Sequence, residues 1–141
     1  METASVECNV KWTGGEGMTF LAETGSGHVV AMDGAPEGGG RNLAPRPMEM
    51  VLLGAGGCAA YDVVVILRKS GQEIRGCEVK LVAERAQTDP KVFTRIHFQF
   101  TVSGQGLKPN IVERAIKLSH DKYCSASAML AKTAQLSLGW G

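Results

Sequence analysis

From Pro47 to Ser70 the chain carries one long, almost wholly apolar segment, PMEMVLLGAGGCAAYDVVVILRKS, and no other feature restricts its fold as much. Pro47 stands where a first-turn proline belongs, Glu49 complements the positive helix start, and Gly71 follows Arg68 and Lys69 as a C-terminal stop. A helix over these residues is about 36 Å long. Its apolar character runs almost all round, which predicts burial on several sides. A chain of 141 residues fits a single domain, residues 1–141, and has little material with which to cover such a helix alone. The expectation is a homodimer with this helix in or near the interface. A membrane span is the weaker reading: Met50 to Leu67 contains Asp62 and three glycines, whereas a span wants about 20 predominantly apolar residues with few or no charges. Met1 to Asn9 shows no basic, apolar leader, so the expectation is a cytoplasmic protein with no membrane partner.

Around this helix the pattern alternates between strand and turn. Val6 to Thr13 places Val6, Cys8, Val10 and Trp12 on one face, the period of a half-buried strand. Met18 to Glu23 and His28 to Asp33 follow across glycine turns and complete a meander. Gly34 to Arg46 has no periodicity and reads as a loop. Ile74 to Ala86 and Val92 to Gly104 form two further strands. The second is marked by Phe93, Ile96, Phe98, Phe100 and Val102. Pro109 opens a helix that ends near His120, a short helix begins near Cys124, and Ala134 to Trp140 closes as a strand. The order βββ-α-ββ-αα-β is an α+β fold with a long central helix.

Composition removes several functions. Lys plus Arg number 15 and Asp plus Glu 14, for a net charge of +1, so nothing favours nucleic acid. Aromatic residues make up 6%, too few for a base-stacking platform. The four cysteines, Cys8, Cys58, Cys77 and Cys124, are widely scattered, and neither they nor the three histidines (His28, His97, His120) show paired metal-ligand spacing. The expectation is no metal and no bound cofactor. His120, four residues before Cys124, lacks the surroundings of a cysteine hydrolase.

Two cysteines carry the chemistry. Cys58 sits in the long helix among Gly56, Gly57, Ala59 and Ala60, small neighbours that leave room for another segment or a substrate to reach the sulfur. Read from the residues alone it is either such a thiol or an inert core cysteine. Cys124, at a predicted helix start, is either a thiol whose pKa the helix end lowers or a small apolar residue under a turn. Asp62, one turn beyond Cys58, acts in the other direction and raises a neighbouring thiol's pKa unless a cation intervenes. Cys8 and Cys77 fall in strand patterns and are expected in the core.

Pro47-Met48-Glu49 leading to Leu52-Leu53-Gly54-Ala55-Gly56-Gly57-Cys58-Ala59-Ala60-Tyr61-Asp62-Val63-Val64, with Lys122-Tyr123-Cys124-Ser125 further on, resembles the OsmC/Ohr family, and within it the YhfA-type branch. The resemblance covers essentially the whole chain. It implies an intertwined homodimer with the two long helices central and two active sites at the subunit interface. It also implies thiol-dependent reduction of organic hydroperoxides, and of hydrogen peroxide, in oxidative or osmotic stress defence. Cys58 then matches the peroxidatic cysteine and Cys124 the resolving one, with an external dithiol as reductant in place of a bound cofactor. The Ohr branch activates its thiol with an Arg–Glu pair whose Glu directly follows the helix-opening proline. Here that position is Met48, and Glu49 comes one residue later, either as the activating acid or as a helix-start acid. Arg41 and Arg46, in the long loop, are the nearest candidates for the Arg. Two other functions compete: a non-catalytic binding protein holding a small hydrophobic ligand at the dimer interface, and a structural domain with buried, inert cysteines.

Overall fold

A computed structural model describes residues 5–141; the reading of the N-terminus as leaderless falls partly on residues 1–4, outside them. The chain divides into two compact units, one ending at Val51 and one running from Leu52 to Gly141. In the first, β1 (Cys8–Trp12), β2 (Phe20–Thr24) and β3 (Val29–Met32) form an antiparallel meander, with Cys8 opposite Thr24 and Phe20 opposite Met32. The strand positions follow the sequence, but the burial does not. All five residues of β1 are exposed, Cys8 among them. Its alternation therefore marks an apolar face that the described chain leaves open, and Cys8 is not a core residue.

The loop after β3 is organised by one buried carboxylate. Asp33 is 1% exposed and accepts hydrogen bonds from the backbone N–H groups of Gly34 (2.7 Å), Arg41 (3.3 Å) and Leu43 (3.3 Å) and from the Thr19 hydroxyl (3.1 Å). Those bonds, that from Gly34 foremost, hold the Asp33 carboxyl below its ordinary pKa against the upward push of burial. The loop also contains a short 3-10 turn, Pro36–Gly38, which its lack of periodicity did not reveal.

The long helix α1 runs from Pro47 to Lys69. The Arg46 backbone N–H donates to Glu49 Oε1 at 2.9 Å, the return bond of a capping box. At the other end the N–H of Gly71 reaches Arg68 O and that of Gln72 reaches Leu67 O. This Schellman closure needs the left-handed backbone that Gly71 adopts, φ 73°. In the second unit α1 buries a single stripe: Ala55, Ala59, Val63 and Leu67, four residues apart, with Gly56 beside it. Only 28% of its most apolar window is buried, so one chain does not cover the helix alone, as its length and apolar girth predict. By length and composition alone the helix meets the requirement for a membrane span.

Two long strands, β4 (Glu73–Arg85) and β5 (Phe93–Gln105), pair antiparallel, and β6 (Gln135–Trp140) joins β5 in parallel. A parallel neighbour requires a crossover. It is supplied by α2 (Pro109–Leu118), a π-helical turn (Ser119–Tyr123) and α3 (Ser125–Leu130). Ile96, Phe98 and Phe100 of β5, Val63 and Leu67 of α1 and Val112 of α2 are essentially fully buried, each side chain contributing about 1.5–3 kcal/mol. Close approach of α1 to β4 explains one glycine: a Cβ at Gly56 would lie 2.6 Å from Leu81 Cδ1.

Candidate active site

Cys58 and Asp62 are i and i+4 on α1, a spacing that stacks two side chains on one helix face. The π-helical turn then brings a third group to them. The Cys124 N–H closes the turn on Ser119 O at 2.7 Å, and the backbone passes to extended geometry at Cys124, the N-cap of α3. Such wide turns are frequent at functional sites. The two sulfurs and an Asp62 carboxylate oxygen all lie within 4.8 Å of one another. Cys58 and Asp62 are half-buried, whereas Cys124 is 2% exposed.

Two serines position this group. The buried Ser119 hydroxyl lies 3.1 Å from Ala59 O and 3.3 Å from Asp62 Oδ2, tying the π-turn to α1. Ser127 donates twice to Cys124 Sγ, from its N–H at 3.3 Å and its hydroxyl at 3.1 Å. The sequence reading named neither residue. A Cys-x-x-Ser spacing at a helix start, cap to third position, is the signal that points to Ser127. No local signal marks Ser119, whose partners come from a distant part of the chain.

The Cys124 thiol is pushed upward in pKa, chiefly by burial; the Ser127 hydroxyl and N–H pull it down, and the adjacent Cys58 pushes it further up. Of the two readings of Cys124, this goes with the residue sealed under a turn and against the thiol lowered by a helix start. Desolvation of a sulfur sealed under the turn outweighs the effect of one short helix. Cys77, on β4, is half-buried and also raised by burial. The His120 Nδ1 atom is buried without a hydrogen-bond partner, so this nitrogen does not serve Cys124.

The other predicted residues belong to the first unit. Glu49 caps α1, and its Oε1 lies 3.6 Å from Arg46 Nη1 in an exposed ion pair. Arg41 is exposed and its side chain lies over Gly17. Beside Asp62, a cavity of about 500 Å³ opens in the second unit between α1 and α2, walled by Val65, Ile66, Ile111 and Leu118, with Lys69 and Arg114 contributing charge.

A pair of thiols within one side-chain movement of each other, one accessible and one sealed, can accept two electrons' worth of oxidation and close to a disulfide. Known proteins share this chain's sequence and fold. The profile of the family described as "OsmC-like protein" matches residues 38–139. Protein YhfA of Escherichia coli is 48% identical over 132 residues, covering 94% of each chain. Among solved structures, a hypothetical protein from Aquifex aeolicus is 27% identical, with a TM-score of 0.85 over 99% of this chain and 96% of that one. An organic hydroperoxide resistance protein from Legionella pneumophila shares the fold, with a TM-score of 0.73, 17% identity and coverage of 100% and 99%. By the profile match and the identity across nearly its full length, this chain belongs to the OsmC-like family.

Proposed function

We propose that the protein is a two-cysteine thiol peroxidase acting on organic hydroperoxides, and on hydrogen peroxide. The observation that carries the reading is the Cys58–Cys124 pair, two sulfurs within 4.8 Å, one half-buried and one sealed. The Cys58 thiolate attacks the terminal peroxide oxygen. The O–O bond breaks, the alkoxide leaves and takes a proton as the alcohol, and Cys58 becomes a sulfenic acid. Cys124 then attacks the oxidised sulfur, a disulfide forms and water leaves. An external dithiol restores both thiols, with no bound cofactor. The upward shift of Cys124 suits the order of events, since a thiol kept protonated does not compete for the peroxide. In this reading the cavity that Asp62 lines, with mixed apolar and charged walls, takes the organic part of the substrate. Structural neighbours named organic hydroperoxide resistance proteins give the reading its direction.

The active form in this reading is a homodimer of single-domain subunits in the cytoplasm, where thiols are held reduced, serving stress defence. The apolar residues that α1 leaves exposed, Leu53 at 60% and Tyr61 at 73% among them, then lie against a second copy and not against lipid. Glu49 enters the proposal as the acid of an Arg46–Glu49 pair. The cavity equally favours a second reading, a binding protein that holds a hydrophobic ligand without turnover.

The experiment is peroxide consumption with a dithiol reductant by four proteins: wild type, Cys58→Ser, Cys124→Ser and Glu49→Gln. The reading expects no turnover for Cys58→Ser, and one round of sulfenic acid formation followed by over-oxidation for Cys124→Ser. Glu49→Gln should slow the reaction; if it lowers only stability, its role is the cap. Equal activity in both cysteine variants would remove the catalytic case in favour of the binding protein.

A further inference from the structure

The three groups that meet at the redox pair are also a donor set for a soft cation. We propose that the reduced protein binds zinc through Cys58 Sγ, Cys124 Sγ and the Asp62 carboxylate. The inference concerns the thiols in their reduced state and does not rest on peroxide turnover.

The geometry points to it first. Tetrahedral zinc, with Zn–S near 2.3 Å and Zn–O near 2.0–2.2 Å, sets its donor atoms about 3.5–3.8 Å apart. All three donors here already lie within 4.8 Å of one another, so they need to close by at most about 1.3 Å. Cys58 and Asp62 stack on one helix face by their i, i+4 spacing, and the third donor arrives from a separate element. That is how three-ligand zinc sites are assembled from a helix pair and a distant residue. A Cys-x-x-x-Asp pair is not one of the paired Cys or His motifs that mark zinc in a sequence, and it becomes a site only once the π-turn delivers Cys124.

A supporting shell is in place as well. Ser119 lies 3.3 Å from the Asp62 carboxylate, and Ser127 donates to Cys124 Sγ from both its N–H and its hydroxyl, fixing two of the three donors before a metal arrives. Charge supplies the third argument. With both thiols ionised the cluster carries three negative charges, and no Lys, Arg or His among the described residues forms an ion pair with Asp62. A divalent cation compensates them directly, and thiolate donors select zinc over magnesium or calcium. Thiols bind zinc as thiolates, and three protein donors leave a fourth coordination position for water.

The test is titration of the metal-free, fully reduced protein with Co²⁺ under argon, followed by displacement with Zn²⁺. The expected result is one Co²⁺ per chain, with tetrahedral d–d bands and a thiolate-to-cobalt charge-transfer band that zinc abolishes. Cys58→Ser and Cys124→Ser should each remove about half of the charge-transfer intensity, Asp62→Asn should weaken binding about tenfold or more, and Cys8→Ser should change nothing. Zinc should also protect two thiols of the wild type from alkylation, mapping to Cys58 and Cys124, a readout independent of how well any variant folds. Absence of the bands in the wild type, undiminished charge-transfer intensity in Cys58→Ser, unchanged affinity in Asp62→Asn, or protection mapping to Cys8 or Cys77 would each overturn the three-donor site. No peroxide is present, so the metal site and the peroxidase reading can fail separately.

Discussion

Joining Cys58 to Cys124 closes a loop of about 67 residues, and the chain-entropy relation for a loop of that size gives about 4.4 kcal/mol of stabilisation at 25 °C. The structure sets what is subtracted. The sulfurs, within 4.8 Å when reduced, must reach bonding distance of about 2.05 Å, and the two Ser127 bonds to Cys124 Sγ are lost or weakened at roughly 0.5–1.5 kcal/mol each. The net expectation is that the oxidised protein is more stable by about 2–3 kcal/mol. With a urea m-value of about 1–3 kcal/mol/M for small proteins, the unfolding midpoint should rise by about 1–2 M. The assay is a pair of urea curves at equal protein concentration, one in excess reductant and one after a single equivalent of cumene hydroperoxide, repeated for Cys124→Ser. Coincident wild-type curves with the disulfide mapped by mass spectrometry, or an equal shift in Cys124→Ser, would refute the reasoning.

Two further predictions follow from single positions. Asp33→Asn should lower the urea midpoint at neutral pH, because an amide nitrogen cannot accept the bonds that Leu43 N–H and the Thr19 hydroxyl make to Oδ2. The Asp33 pKa is depressed on folding, so its stabilisation is present above the unfolded value of about 3.9 and lost as pH falls through the folded value; wild-type stability should fall in that acid window and the variant's should flatten there. Gly56→Ala places a methyl group 2.6 Å from Leu81 Cδ1, an overpacking cost of about 1–3 kcal/mol partly offset by about 1 kcal/mol of helix propensity. Urea melts should show net destabilisation, and its size should shrink when measured in a Leu81→Ala background; stabilisation by the single variant would contradict the helix–strand contact.

Much of the fold was legible because its signals are local. Pro47, Gly71 and Pro109 punctuate the helices, and Phe93, Ile96, Phe98 and Phe100 write the period of β5 directly. The alternation of β1 was read correctly as a strand and wrongly as half-buried, since a period of two reports an apolar face and not what covers it. The apolar girth of α1 likewise reports an apolar surface larger than one chain covers. At the site, Cys58 and Cys124 stood out through family resemblance, while Ser119 escaped because its partners, Ala59 and Asp62, are remote in sequence. Between the two readings of Cys124, burial decides for the small residue under a turn, and burial cannot be read from a helix-start position alone. Glu49 shows the converse: its capping bond to Arg46 is a short-range arrangement that sequence spacing does announce.

The most direct test is a thiol count. Fully reduced protein is treated with one equivalent of cumene hydroperoxide and, in parallel, of hydrogen peroxide, and free thiols and disulfides are then mapped by mass spectrometry. The account predicts rapid loss of two thiols per chain as a Cys58–Cys124 disulfide, faster with the organic peroxide. Survival of all four thiols at a rate no better than that of free cysteine would contradict it.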